Sequence, residues 1–106
     1  MRSTSQISFG KNCSLGWGIT LNTSDGHPVW HKGTRQKMEN PIDIGENVWL
    51  TPHSTLLKGS KIPDFCIVAQ KSVVTKRFTE KHCLIGGIPA KVVAHDIEWH
   101  AENEYN

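Results

Sequence analysis

The amino-acid sequence predicts an all-β protein whose single domain is a parallel β-helix of hexapeptide repeats. Ile and Val together number 16 while Ala and Leu number 10, and eight Thr add further β-branched side chains that favour strands. An aliphatic residue recurs at every sixth position over much of the chain. Only the last stretch, 96–105, has a mildly helical pattern. The length of 106 residues allows one domain.

The six-residue rhythm is the observation that predicts the architecture. Its aliphatic anchors are Ile44, Leu50, Leu56, Ile62, Val68 and Val74. The fourth residue after an anchor is small or medium-sized: Val48, Ser54, Ser60, Cys66 and Ser72. A helix stripe needs spacings of three, four and seven, and a simple strand alternates every second residue. Short strands joined by turns, each pointing one bulky residue inward, explain the spacing, and stacked turns bury a continuous core. The alternative is an irregular β-sandwich with accidental spacing.

A shorter run of the same kind precedes this one. Its anchors are Phe9, Leu15 and Leu21, with Cys13 and Ile19 at the fourth position. The polar segment 26–41 separates the two runs and breaks the rhythm, so we expect a loop excursion from the coil, where function commonly resides. We therefore predict a β-helix domain over residues 7–93 and a C-terminal tail over 94–106, as a short helix or a loose end.

Charge, hydropathy and cysteine content exclude several classes of protein. Twelve Lys and Arg against ten Asp and Glu give a net charge of +2, which argues against a nucleic-acid or polybasic membrane binder. No apolar run approaches the roughly 18 residues of a membrane span, and the polar segment 1–6 has no signal core, so we expect a cytoplasmic protein without membrane insertion. The spacing of Cys13, Cys66 and Cys83 favours reduced thiols over a disulfide scaffold or structural zinc site.

Four motifs give the chain a resemblance to a known family. They are Thr23-Ser-Asp-Gly-His-Pro28, Pro41-Ile-Asp-Ile-Gly-Glu-Asn-Val-Trp-Leu50, Ser72-Val-Val-Thr-Lys76 and Gly86-Gly-Ile-Pro-Ala-Lys-Val-Val93. In combination they resemble the hexapeptide-repeat acyltransferases, in particular the O-acetyltransferases that act on sugars. The resemblance covers about residues 7–93. It implies a left-handed β-helix with three hexads per turn, assembled into a homotrimer with active sites between neighbouring subunits.

The resemblance places the catalytic histidine at His27. The chemistry agrees, because an alcohol that attacks a thioester must lose a proton and imidazole accepts protons near neutral pH. Pro28 biases His27 toward an extended backbone, which fixes where the ring leaves the coil. Asp25, two residues earlier, is a candidate to orient the ring or stabilise the imidazolium ion.

The resemblance also implies acetyl-CoA as the acyl donor. Thr75 and Lys76 belong to the turn that contacts CoA in related enzymes, and Lys76 and Lys91 can offer ammonium groups to its phosphates. Gln70 stands in a stretch where the family usually has Gly-Ala-Gly, so its side chain is expected either to contact CoA or to narrow the groove. Trp49 matches the family's tryptophan and is expected either to line the substrate cleft or to cap a corner of the trimer.

The sequence thus predicts transfer of an acetyl group from acetyl-CoA to a hydroxyl of a saccharide, with His27 as general base and no metal. One alternative is a non-catalytic or truncated β-helix trimer with a binding or structural role, because segment 1–6 supplies none of the upstream coils that family members carry. Another is a zinc protein similar to the gamma-class carbonic anhydrases, with His27, His31 and His53 as ligands.

Overall fold

Short strands make up the fold of the described part of the chain, residues 6–24, 26–37 and 39–100 of a computed structural model. In chain order they are β1 (Ile7–Phe9), β2 (Ser14–Leu15), β3 (Thr20–Leu21), β4 (Trp30–His31), β5 (Thr34–Arg35), β6 (Ile42–Ile44), β7 (Trp49–Leu50), β8 (Thr55–Leu56), β9 (Lys61–Ile62), β10 (Ile67–Val68), β11 (Val73–Val74), β12 (Leu84–Gly87) and β13 (Ala90–Ala94). Within those ranges no residue is helical. The all-β prediction is confirmed.

Eleven of these strands form the three faces of a coil. The first face is β1-β6-β9, the second is β2-β7-β10-β12 with β13 added at its edge, and the third is β3-β8-β11. Parallel pairing sets Ile44 opposite Ile62, Leu50 opposite Val68 and Leu56 opposite Val74, three hexads apart in each case. We call the turn from the first face to the second the first corner. The turn from the second face to the third is the second corner, and the turn from the third face back to the first is the third corner. The chain is a parallel β-helix with three hexads per turn, as predicted.

The hexad anchors form the core. Ile44 is 3% exposed and the other five anchors of the long run are 0% exposed. The small residues at the fourth positions are buried beside them, and the buried serines among these have hydrogen-bond partners. The hydroxyl of Ser60 donates to the carbonyl oxygen of Leu57 at 2.6 Å, and that of Ser72 accepts from the backbone N–H of Gly87 at 3.1 Å. A buried hydroxyl with a partner avoids the cost of desolvation.

The first coil follows the same register but is only partly covered. Phe9, Leu15 and Leu21 lie opposite Ile44, Leu50 and Leu56 on the three faces. Phe9 is nevertheless 43% exposed and Leu15 51% exposed, because no described coil stacks on their outer side. The rhythm therefore predicts correctly where these side chains point but not how far they are buried.

Close stacking of the coils leaves no room for a side chain at Gly10. A Cβ atom there would lie 2.6 Å from the backbone nitrogen of Glu46 and equally close to the carbonyl carbon of Gly45. We expect Gly10→Ala to lower the free energy of unfolding by roughly 1–3 kcal/mol, measured by urea denaturation, because backbone atoms must shift to admit it. Gly33→Asn is the control: it faces open space, and Asn tolerates the positive φ of 81° there. An equal loss for both variants would contradict the stacking argument.

The predicted loop excursion contains a β-hairpin, and we call residues 23–40 the arm, of which 25 and 38 lie outside the described residues. Its stem is closed by the backbone N–H of Asn40 donating to the carbonyl oxygen of Thr23 at 3.0 Å. Further out β4 and β5 pair antiparallel around Lys32-Gly33, which have φ values of 54° and 81°. Positive φ at both central residues is typical of a two-residue hairpin turn. Lys-Gly is a weaker hairpin signal than Asn-Gly, so the sequence does not predict this hairpin. The interrupted hexad rhythm indicates only that the chain leaves the coil.

The C-terminal end of the coil is closed by the antiparallel hairpin β12–β13. The tail then returns along the first corner. The backbone N–H of Ile97 donates to the carbonyl oxygen of His82 at 2.7 Å, and the indole N–H of Trp99 donates to that of Asn47 at 2.8 Å. Residues 95–100 are not helical, and 101–106 lie outside the described residues. The described residues contain no helix long and apolar enough to cross a membrane.

Candidate active site

The arm and the predicted cofactor turn lie on one edge of the β-helix. The arm leaves the coil at the third corner, between β3 and β6, and Thr75-Lys76 occupy the same corner two coils further on, after β11. At the intermediate coil, the Lys58 ammonium donates a hydrogen bond to the carbonyl oxygen of Lys37 in the arm. Strands in a sheet are about 4.8 Å apart, so the levels of β3 and β11 are separated by about 10 Å along the axis.

His27 lies exposed on this edge, in the stem of the arm. The chain before it is held by two local hydrogen bonds: the N–H of Ser24 donates to the Asn22 side-chain oxygen at 3.1 Å, and the N–H of Gly26 to the Ser24 hydroxyl at 3.0 Å. Among the described residues the imidazole has no hydrogen-bond partner. Asp25, the candidate to orient it, lies outside the described residues, so that role stays a prediction.

A cavity of about 360 Å³ opens at the same corner. It is lined by Thr75, Lys76, Gly87, Ile88, Pro89, Ala90 and Lys91. Three of the four predicted CoA contacts, Thr75, Lys76 and Lys91, are therefore brought together, although the two lysines are 15 positions apart in the sequence. Both lysines are exposed, and the Lys76 ammonium lies 5.1 Å from the centre of the Phe78 ring. The cavity thus combines two cationic groups with an apolar turn.

The Gly86-Gly87 pair allows the hairpin β12–β13 to shape this cavity. A Cβ atom at Gly86 would lie 3.0 Å from the Cβ of Ala69 in the preceding coil. Gly87 has a φ of 110°, a conformation that L side chains rarely adopt. The two glycines let the hairpin pack against Ser72 and turn outward at Ile88, which is 74% exposed.

Two predicted site residues lie elsewhere in the chain. Gln70 is exposed at the second corner, between β10 and β11, and does not line the cavity. Trp49 stands on the second face in β7, and its ring packs against that of Trp99 with centroids 5.7 Å apart and planes inclined by 43°. One chain therefore does not bring either residue to the cavity.

The three histidines of the zinc alternative are spread over the molecule. His31 is in β4 of the arm, whereas His53 occupies the second corner with a φ of 65°. In the described part of a single chain, these imidazoles do not form a group with ligand atoms within 4.8 Å of one another. A group that does is Glu80, Cys83 and His95. Nothing in the sequence signals this group, because its residues follow no recognised metal-ligand spacing and the hairpin β12–β13 brings His95 back to Cys83.

The three cysteines are free, as predicted. Cys66 and Cys83 are fully buried and neighbours in the stack, and Cys13 is partly buried. Burial raises the pKa of the Cys66 thiol, and burial with the adjacent Glu80 carboxylate raises the pKa of Cys83 to about 11. Both thiols are therefore protonated near neutral pH and are poor nucleophiles.

Comparison with known proteins supports the fold and the resemblance. An uncharacterized 24.8 kDa protein in the cps region of Klebsiella pneumoniae is 39% identical over 97 residues, 92% of this chain and 43% of that protein. The polysialic acid O-acetyltransferase of Neisseria meningitidis is 38% identical over 89% of this chain and 45% of its own length. Galactoside O-acetyltransferase of Escherichia coli K12 is 30% identical over 82% of this chain and 43% of that enzyme. No family profile matches the chain.

Solved structures show the same architecture. The polysialic acid O-acetyltransferase OatWY superimposes with a TM-score of 0.84 and 38% identity, over 91% of this chain and 46% of that one. Fold and relatives together define a left-handed β-helix protein of the hexapeptide-repeat class. More particularly, the chain belongs to the hexapeptide-repeat acyltransferase family, and the named relatives reported above are O-acetyltransferases. The chain spans less than half the length of these three curated relatives.

Proposed function

We propose that the chain is a CoA-dependent O-acetyltransferase that moves an acetyl group from acetyl-CoA to a hydroxyl of a saccharide. The observation that carries this proposal is that the arm with His27 and the cavity with Lys76 and Lys91 share one edge of the β-helix. The edge offers a base at one level and phosphate-binding cations about 10 Å along the axis. The related galactoside and polysialic acid O-acetyltransferases support a saccharide as the acceptor.

His27 acts as the general base in this proposal. Its neutral imidazole accepts the proton of the acceptor hydroxyl while the oxygen forms a bond to the thioester carbonyl carbon. Backbone N–H groups of the cleft stabilise the negative charge on the carbonyl oxygen. When the C–S bond breaks, the imidazolium returns its proton to the leaving sulfur, so the base is regenerated. Asp25 is proposed to stabilise the imidazolium form.

The cavity residues hold the donor. Lys76 and Lys91 pair with phosphate oxygens of CoA, and the hydroxyl of Thr75 offers a hydrogen bond at the same turn. The cavity of about 360 Å³ is of the size that accommodates part of such a ligand. Gln70 lies one corner away, so a contact between its side chain and CoA would require a cofactor segment that extends past the second corner.

The assembly proposed for the active protein is a homotrimer. His27 and Trp49 stand on different parts of one chain, at the third corner and on the second face, and a neighbouring subunit is the means of bringing a tryptophan into the cleft. Sedimentation equilibrium tests this proposal, because a monomer would separate Trp49 from any shared cleft.

The use of acetyl-CoA together with three free thiols supports a cytoplasmic location.

Replacement of the cavity lysines tests the donor site. We expect Lys76→Ala and Lys91→Ala each to weaken CoA binding by roughly 5–30-fold in calorimetry, since a charge-assisted hydrogen bond contributes about 1–2 kcal/mol. The effect should shrink as salt is added, because ions screen exposed charges. Gln70→Ala is the matched control on the neighbouring corner and should change the affinity less than twofold. Wild-type protein that takes up no CoA would instead favour a non-catalytic β-helix.

Turnover is tested by release of the CoA thiol from acetyl-CoA in the presence of galactosides and sialic acid polymers. Thiol release that depends on the saccharide supports the proposal. Release at the same rate without any acceptor would show hydrolysis rather than transfer.

A further inference from the structure

A group of three different metal-ligating side chains lies at the first corner, at the C-terminal end of the coil. The group consists of Glu80, Cys83 and His95, and its ligand atoms all lie within 4.8 Å of one another. Nδ1 of His95 is 2.8 Å from Oε2 of Glu80. Neither the arm nor the cavity uses any of these residues, so the proposed acetyl transfer does not account for them.

The hairpin β12–β13 brings the three side chains together. Leu84 pairs with Ala94 at the open end of this hairpin, so Cys83 and His95 are the next residues along the two strands. Side chains at such facing positions have Cβ atoms about 5 Å apart. Glu80 belongs to the segment that leads from Phe78 to β12, and its carbonyl oxygen accepts a hydrogen bond from the Cys66 thiol at 3.4 Å. The coil therefore fixes Cys83 and the backbone of Glu80.

We propose that Glu80, Cys83 and His95 bind one Zn²⁺ ion per chain. Thiolate, imidazole and carboxylate are the three ligand types that proteins use for zinc, and three of them leave one tetrahedral position for water. Zn–ligand distances of about 2.0–2.3 Å require ligand atoms roughly 3.3–3.8 Å apart. Glu80 and His95 are more than half exposed, so their side chains have room to rotate toward that geometry. The fully buried Cys83 thiol would be reached from the side of these two residues.

The charges around the group favour a cation. The Lys81 ammonium, adjacent to Glu80 in the chain, pairs with Asp64 at 3.6 Å and is thereby directed to a different carboxylate. Asp96 acts on the Cys83 thiol as a further negative charge. Because zinc binds cysteine as the thiolate, the Cys83 thiol gives up its proton when the ion binds, and the affinity for the metal increases with pH.

The position of the group indicates that the ion would stabilise the hairpin β12–β13, with water completing its coordination. Cys83 and His95 stand at the open end of the hairpin β12–β13, while its turn lines the cavity, about 10 Å away along the strands. An ion held by residues on both strands would fix the start of β12 to the end of β13. It would stabilise the wall of the cavity without contact with the reacting atoms.

The experiment is a titration of the whole, chelator-treated chain with Zn²⁺ alone, followed by calorimetry and by thermal unfolding. We expect one ion per chain and a rise in Tm, because a ligand that binds only the folded state stabilises it. Co²⁺ substitution should give the near-ultraviolet charge-transfer band of a thiolate ligand. His95→Gln and Glu80→Gln, both at exposed side chains, should lower the affinity for Zn²⁺ by at least about 100-fold, since even residues behind metal ligands act on that scale.

Two controls separate this site from unspecific binding. Cys83→Ser should remove the Co²⁺ charge-transfer band, whereas Cys13→Ser, at a partly buried thiol of the first coil, should leave it intact. His31→Gln removes an exposed imidazole from the arm and should leave the affinity for Zn²⁺ unchanged. Failure to bind Zn²⁺, or binding that persists undiminished in His95→Gln and Glu80→Gln, would overturn the proposal. The thiol-release assay measures acetyl transfer separately, so failure of the metal proposal and failure of the proposed function are distinguishable.

Discussion

Replacing His27 with Ala is expected to lower kcat for acetyl transfer by about 10²–10⁴-fold, the usual contribution of a general base. The side chain is exposed on the arm, so its removal leaves the buried anchors of the coil untouched. We expect the affinity for CoA and the state of assembly to stay the same. The measurement is saccharide-dependent thiol release, with calorimetry and sedimentation on the same preparation.

His31→Ala is the matched control for this prediction. It removes the same kind of side chain from the same arm, four residues later and likewise exposed. A kcat within about twofold of wild type is expected, because surface changes away from a site have small effects. Equal rates for His27→Ala and the wild type would refute the assignment of the base, and equal losses in both variants would point to a disturbed arm instead.

Leu56→Ala is expected to lower the free energy of unfolding by about 2–5 kcal/mol, because it leaves a cavity in a closely packed core. Leu56 is fully buried, with Leu21 above it and Val74 below it on the third face. In a chain of this size each kcal/mol lowers Tm by roughly 4–8 °C. Urea and thermal unfolding of the same variant measure both quantities.

Leu15→Ala provides the comparison at an equivalent hexad position. Leu15 points inward over Leu50 but is 51% exposed, so its truncation removes less contact and should cost under about 1 kcal/mol. A loss as large as that of Leu56→Ala would show that the first coil is covered in solution, for example by another subunit.

The coil itself could be predicted from the sequence because one physical requirement repeats at every hexad. Each side of a coil must bury one bulky residue, so the positions of Ile44 to Val74 determine both the register and the core. The exposure of Leu15 could not be predicted in this way, because burial depends on whether a further coil covers the residue. The order within the arm was also not predicted, since a hairpin that leaves the coil has no repeating neighbour to impose a pattern.

The cavity residues that could be proposed from the sequence are those that belong to the family's motifs. Thr75, Lys76 and Lys91 meet in the cavity because the stacked coils bring the third corner and the hairpin β12–β13 together. Gln70 is a candidate only because it stands where the family usually has glycines, and in one chain it lies at the second corner rather than at the cavity. Glu80, Cys83 and His95 were missed because an antiparallel pairing, which has no hexad spacing, creates their proximity.

The antiparallel strand β13 makes the two ends of the β-helix different, and protein engineers can use this difference. The stack has a terminated end, where β12–β13 replaces parallel pairing, and at the other end the first coil presents strands with inward aliphatic residues. Additional consensus hexads grafted ahead of Ile7 would find a template with matching register. The same hexads appended after Ala94 would find no parallel strand to pair with. The β-helix could therefore be lengthened at its N-terminal end alone.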